Sequence, residues 1–179
     1  AYLVLAVLAL LSLAVVSMIR FPPVPDRLHA DSGRPLREII RQPVFSTAAL
    51  ASALGFGVMN LRMEATPIAM QAQGCAFEHS AHVVQWHVVA MFAPGFFTGH
   101  LVRHYGVRRI LAAGVALNLL CVTIALSGST LAHFMIALVA LGLGWNFLFT
   151  GGTTLALQAY RPQEKDKAQG ALNFCVFGI

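Results

Sequence analysis

The chain has 179 residues, of which 58% are apolar and 11% charged, with a net charge of +5 and a mean hydropathy of +0.72. Soluble globular domains run at roughly 45–50% apolar and about 25% charged, so this composition excludes an ordinary soluble domain and points to an all-α, polytopic membrane helical bundle. The positive charge does not indicate a nucleic-acid partner, because eleven of the twelve Lys and Arg residues lie in three short segments, Arg20–Arg41, Arg103–Arg109 and Arg161–Lys167.

Residues 1–19, 42–61, 79–102 and 110–160 carry no Asp, Glu, Lys or Arg. A hydrocarbon core is crossed by about 20 apolar residues, so each run is long enough for one crossing and the last is long enough for two. The turn residues Ser127-Gly128-Ser129-Thr130 divide it. The three basic segments then fall on alternate loops, a bias that places them in the cytoplasm, with anionic lipid headgroups as neighbours. Cys75, Cys121 and Cys175 form no disulfide framework and read as small buried hydrophobes or interface residues. The first and last apolar runs both read as helices cut through.

In chain order, the first crossing, Tyr2–Ile19, is rich in Leu, Ala and Val and offers bulk and packing. Residues 20–42 read as a cytoplasmic linker, with Pro22, Pro23, Pro25, Gly33, Pro35 and mixed charges, ending in a short amphipathic piece, Leu36–Arg41. Residues 43–179 read as a helical bundle.

In the second crossing, about Val44–Met70, Ala49, Ala53, Gly57, Asn60 and Glu64 recur at helical spacing on one face. Arg62 is two residues from Glu64, about 200° round the helix, so the two cannot share that face. Burying such charges near a helix centre costs roughly 2.5 kcal/mol or more, so they face a water-filled cavity or a partner. Glu64 and Arg62 are therefore pathway candidates, the alternatives being structural pairing and an outer-interface position. Pro67 frees the carbonyl of Met63, which is a common way for a spanning helix to be broken. In the expected outer loop, Gln71–Ala81, and just beyond it, Cys75, His79 and His82 have no fourth ligand at a known metal spacing, and polar residues at a water interface are the simpler reading.

The third crossing, about Val83–Val102, carries His87, Met91, Pro94 and Thr98 on one face, with a bend expected at Pro94-Gly95. His87 suits proton coupling or substrate contact by its near-neutral titration, or else makes a structural hydrogen bond. Trp86 reads as an interface anchor. The crossing ends in the hairpin Gly99-x-Leu101-x-x-x-x-Gly106-x-Arg108-Arg109-x-Leu111. Gly106 supplies the turn, Gly99 allows close helix approach, and Arg108 and Arg109 hold the loop at the headgroups.

This hairpin resembles the loop motif G-x-L-x-D-R-x-G-R-R/K-x-x-L of the major facilitator superfamily. The preceding residues, Gln85-Trp86-His87 and Met91 to Gly99, are similar to a bacterial subgroup of it. The resemblance implies that the motif controls a cytoplasmic gate, although Arg103 stands where the family has Asp.

The fourth crossing, Ile110–Leu126, has Asn118 for a helix–helix hydrogen bond. The fifth, Leu131–Tyr160, bears a polar stripe of Asn146, Thr150, Thr153 and Thr154, which must meet protein or water rather than lipid. After the loop Arg161–Lys167, residues 168–179 begin a sixth crossing with Asn173.

No phosphate-binding loop, paired catalytic carboxylates or nucleophile elbow occurs, so no enzyme, cofactor or metal is expected. The resemblance implies five full helices and part of a sixth, from the end of helix six to the start of helix eleven of a twelve-helix fold in a bacterial cytoplasmic (inner) membrane. It further implies secondary active, proton-coupled transport of a small solute by alternating access, partnered by the N-terminal half of the same protein. Candidates for the substrate and proton pathway are Asn60, Arg62, Glu64, His87, Asn146, Thr150 and Asn173, chosen by polarity and helical face. Two alternatives stand beside this: a non-transporting structural or assembly module, and, within transport, a vitamin importer of riboflavin type rather than a drug-like efflux pump.

Overall fold

The computed structural model describes residues 2–19 and 33–178, and every described element is helical or a turn. Residues 1–31 and 32–179 form two units. The first holds α1, Tyr2–Met18, in which Ser12 and Ser17 donate back to the carbonyls of Leu8 and Ala14 and so satisfy the two serine hydroxyls of an apolar helix. Most of the expected linker, residues 20–32 with its three leading prolines, lies outside the described residues, as do Ala1 and Ile179.

The second unit contains α2 (Leu36–Ile40), α3 (Pro43–Ala72), α4 (Phe77–Phe92), α5 (Gly95–Tyr105), α6 (Val107–Ser127), α7 (Leu131–Ala156) and α8 (Lys165–Phe177), with a short 3-10 turn at Pro162–Glu164. Three of these helices, α3, α6 and α7, are long and apolar enough to cross a membrane. The chain is a polytopic, membrane-spanning helical bundle. The expected third crossing is not one helix. It is divided into α4 and α5 at Ala93-Pro94, where proline has no amide hydrogen to give the preceding turn. Both residues keep right-handed helical angles, so the chain bends there and does not loop out. α4 also starts earlier than expected, at Phe77, which shortens the outer connection to a few residues around Gly74 (φ +76°).

α7 is the central helix, packing along α3, α4 and α6. Its glycines make this possible by bringing backbones together. A Cβ at Gly142 would lie 2.7 Å from the His87 carbonyl oxygen of α4, and one at Gly144 would lie 3.1 Å from the Gly114 carbonyl oxygen of α6. Lipid tails are as apolar as leucine, so close packing of this kind, rather than escape from water, holds membrane helices together.

Three core clusters stack along the bundle. Ile39, Phe45, Leu155, Ala168 and Leu172 gather at the end carrying the basic loops. Met59, Met91 and Trp145 occupy the middle, and Met70, Val83, Cys121 and Leu138 the far end. Ile39 is the buried anchor of the short amphipathic α2.

Candidate functional site

The bend between α4 and α5 is held by a side chain from α7. Asn146, buried, donates from Nδ2 to the Met91 carbonyl at 2.8 Å, and its Oδ1 lies 2.6 Å from the Thr98 hydroxyl. Met91 is on α4 and Thr98 on α5, so one amide ties both pieces of the interrupted helix to α7. The Thr98 hydroxyl is also 2.8 Å from the Pro94 carbonyl, and its single proton is shared between the two acceptors. A turn further out, His87 is fully buried, with Nδ1 at 2.8 Å from the Leu138 carbonyl of α7. A carbonyl only accepts, so Nδ1 carries the proton and Nε2 is left buried without a partner. The face of His87, Met91 and Thr98 is thus turned onto α7 and fixes helices.

α3 divides its polar residues between two directions. Ala49 and Ala53 are buried, Gly57 and Asn60 half-buried, and Glu64 exposed, so this stripe emerges from the core toward the surface. Glu64 there joins a helix face whose other members, Leu50, Leu54, Leu61 and Ile68, are exposed and apolar. Arg62 is half-buried on another side, beside the Cys121 thiol.

A second grouping forms where α3 meets α8. The rings of Phe56 and Phe177 touch edge to face with centroids 4.9 Å apart. α3 and α8 run in the same direction, since Phe45 and Ala48 pack with Ala168 and Leu172, so Asn60, one turn beyond Phe56, and Asn173, one turn before Phe177, flank the ring pair on opposite sides. Asn173 and Phe174 are exposed. The sequence named both asparagines but not the ring pair that lies between their levels.

Two other stripe residues are satisfied within α7 itself. Thr153 and Thr154 donate to the Thr150 carbonyl, and Thr153 also lies 2.8 Å from the Phe149 carbonyl. Thr150 is half-buried. Asn118 bonds not to another helix but to the Gly114 carbonyl of its own, at 2.9 Å, while pressing against Gly144. In the hairpin, Gly106 has φ +82° and ψ 148°, a conformation closed to other residues, and so ends α5 and starts α6 in one step. Arg108 and Arg109 are exposed and Leu101 half-buried. A Cβ on Gly99 would meet nothing within 4 Å, so the close approach expected of it is not made with any described residue.

One polar cluster carried no signal in the sequence. At the basic end, the fully buried Glu164 carboxylate accepts from Arg34 Nη2 (2.7 Å), Arg34 Nε (2.9 Å), and the backbone amides of Arg34 (2.8 Å) and Arg161 (2.9 Å). Arg34 Nη2 and Gln42 Nε2 also donate to the Ala159 carbonyl, and Lys167 Nζ to the Arg34 carbonyl. The Arg34 side-chain bonds, with the Arg161 amide, hold the Glu164 carboxyl well below the usual carboxylate range. The cluster ties the residues before α3 to the loop between α7 and α8 across 130 positions of sequence. Among the described residues, no group of three or more His, Cys, Asp and Glu side chains is placed to hold a metal.

A profile of the Major Facilitator Superfamily matches residues 1–179. Over 176 residues the chain is 46% identical to the riboflavin transporter RfnT of Brucella anthropi, covering 97% of this chain and 44% of that protein. Two Bacillus subtilis proteins, the uncharacterized MFS-type transporters YddS and YdeG, are 31% and 32% identical over 118 and 121 residues. These matches cover 65% and 66% of this chain and 27% and 28% of the relatives. The chain therefore spans less than half the length of each of these relatives. No solved structure matches it.

Proposed function

Because the chain belongs to the major facilitator superfamily, a family of transporters and not of enzymes, we propose that it is the C-terminal half of a secondary transporter that carries riboflavin or a close flavin relative. The observation that carries this reading is the 46% identity, over 97% of the chain, to a protein named as a riboflavin transporter. It favours a vitamin-type cargo over drug-like efflux, and transport over a structural module. The membrane is that of a bacterium, and the cytoplasmic membrane fits the basic residues of 34–41, 103–109 and 161–167 at one end of the bundle.

In this reading the two halves rock about a site between them, and the pathway residues are those left facing outward from the bundle. Asn60, Asn173, Phe56 and Phe177 suit a planar, heteroaromatic cargo, since rings stack on rings and amides pair with the donors and acceptors on a flavin's edge. Glu64 stands on a helix face that is otherwise apolar, and a carboxylate there requires water or a cation rather than lipid. It is the group that would exchange a proton. His87 and Asn146, whose side-chain hydrogen bonds all run to neighbouring helices, position the wall behind that pathway, and Thr150 borders it. The hairpin Gly99 to Arg109 serves as the cytoplasmic gate.

Flavin binding to the full-length protein in detergent, followed by quenching of flavin fluorescence, tests the cargo. Saturable quenching that weakens in Phe56→Ala and Asn173→Ala is expected. A folded protein that quenches no flavin would overturn the assignment.

A further inference from the structure

Arg62 is a cation in a membrane-spanning helix that the proposed pathway does not use. A guanidinium is a permanent cation, and holding one at this depth requires compensation. Yet residues 110–160, which include nearly all of α6 and all of α7, contain no acidic side chain. The nearest acid in sequence, Glu64, projects about 200° away round α3 and is exposed. Arg62 Nε is buried and has no hydrogen-bond partner.

Beside it lies a cavity of about 140 Å³ between α3, α6 and α7, lined by Arg62, Thr66, Ala69, Ala125, Phe134 and Leu138 among others. One water occupies roughly 30 Å³ of liquid, so the space takes a group larger than a single water. The Thr66 hydroxyl donates to the Arg62 carbonyl at 2.7 Å, which leaves the guanidinium as the cavity's charged donor. Ala125 stands within a turn of the end of α6, and Phe134 within a turn of the start of α7. The cavity therefore reaches the depth at which these helices leave the hydrocarbon.

We propose that this crevice binds a phosphate-type oxyanion on the Arg62 guanidinium. A planar fork of donors suits a phosphate oxygen pair. Walls of alanine, phenylalanine and leucine suit an amphiphile, so the phosphate of an anionic phospholipid is the occupant that fits best, with free phosphate as the other source of the same chemistry. Neither source depends on what the transporter carries.

The test is native mass spectrometry of the delipidated full-length protein titrated with phosphatidylglycerol or phosphatidylcholine, with and without millimolar inorganic phosphate. Three proteins are compared: wild type, Arg62→Gln, and Ala69→Leu, which fills the crevice and keeps the cation. Phosphatidylglycerol should be retained roughly tenfold better by wild type than by either variant, as loss of one charge-assisted contact implies, and phosphatidylcholine, whose trimethylammonium offsets its phosphate charge, should show a smaller difference. Displacement by inorganic phosphate would assign the site to the free anion, and resistance to it would assign the lipid. Equal phosphatidylglycerol retention by all three proteins, with no response to phosphate, would overturn the proposal. Should Arg62→Gln fail to fold, Ala69→Leu decides the matter.

Discussion

The Thr98 hydroxyl of α5 lies 2.6 Å from Asn146 Oδ1 of α7, across a helix interruption that Pro94 creates. Because the same amide also reaches the Met91 carbonyl, α7 and both halves of the interrupted helix are bound as one piece. Asn146→Leu should lower the unfolding free energy by about 0.6 kcal/mol for each interhelical bond lost and at most about 1.7 per bond, the mean and maximum found for such bonds in membranes. Thr98→Val should cost less in the Asn146→Leu background than in wild type. A double-mutant cycle in mixed detergent micelles measures this coupling, and strictly additive effects would show the contact to be idle.

Gly142 and Gly57 make a matched pair for testing backbone approach. A Cβ at Gly142 would meet the His87 carbonyl at 2.7 Å and the Met91 amide nitrogen at 3.0 Å, whereas one at Gly57 would meet nothing within 4 Å. Gly142→Ala should therefore force α4 and α7 apart and reduce the yield and thermal stability of the folded protein. Gly57→Ala should be neutral or slightly stabilising, since alanine is the better helix former by about 1 kcal/mol. Size-exclusion profiles after stepwise heating separate the two outcomes.

Much of this architecture could be read from the sequence because membrane crossings leave long charge-free runs. The expected second, fourth and fifth crossings begin within about three residues of α3, α6 and α7, and Gly106 turns where the hairpin motif placed it. The start of α4 was not legible, because Glu78 and His79 mark where a helix leaves the hydrocarbon and not where it ends. An acid in a first helical turn is favourable, so the helix continues past the bilayer boundary. The role of Asn146 was also hidden. A polar stripe on a spanning helix signals that some partner exists, but a carbonyl left open at a bend in a neighbouring helix satisfies that need as well as water does. The Arg34–Glu164 pair was invisible for a different reason, since its members are 130 positions apart in loops whose charges serve topology equally well.

The Glu164 cluster predicts a defined pH response. A carboxyl whose folded pKa lies below its unfolded value stabilises the fold above the unfolded value and loses that contribution as the pH falls through the folded one. Arg34 and the Arg161 amide depress Glu164 in this way. Its contribution is thus complete at neutral pH and declines only in acid below the ordinary carboxylate range. Glu164→Gln should lower thermal stability at pH 7, and the gap between variant and wild type should narrow as the pH is taken below about 4. A gap that stays constant between pH 7 and pH 3 would remove Glu164 ionisation as its cause.

Proton coupling should separate Glu64 from His87. His87 is fully buried with Nδ1 committed to the Leu138 carbonyl, while Glu64 is exposed on α3. In vesicles holding the full-length protein, Glu64→Gln should abolish the effect of an imposed pH gradient on uptake. A His87→Gln protein that folds should keep it. The reverse pattern would move the proton site to α4.

The central claim is that the complete protein moves a flavin, and counterflow tests it most directly. Vesicles containing the full-length transporter and loaded with unlabelled riboflavin should transiently accumulate radiolabelled riboflavin from outside, without any imposed gradient. Accumulation should be absent from protein-free vesicles and reduced by Phe56→Ala. A folded, vesicle-inserted protein that supports no riboflavin counterflow, yet supports counterflow of an unrelated solute, would contradict the flavin assignment.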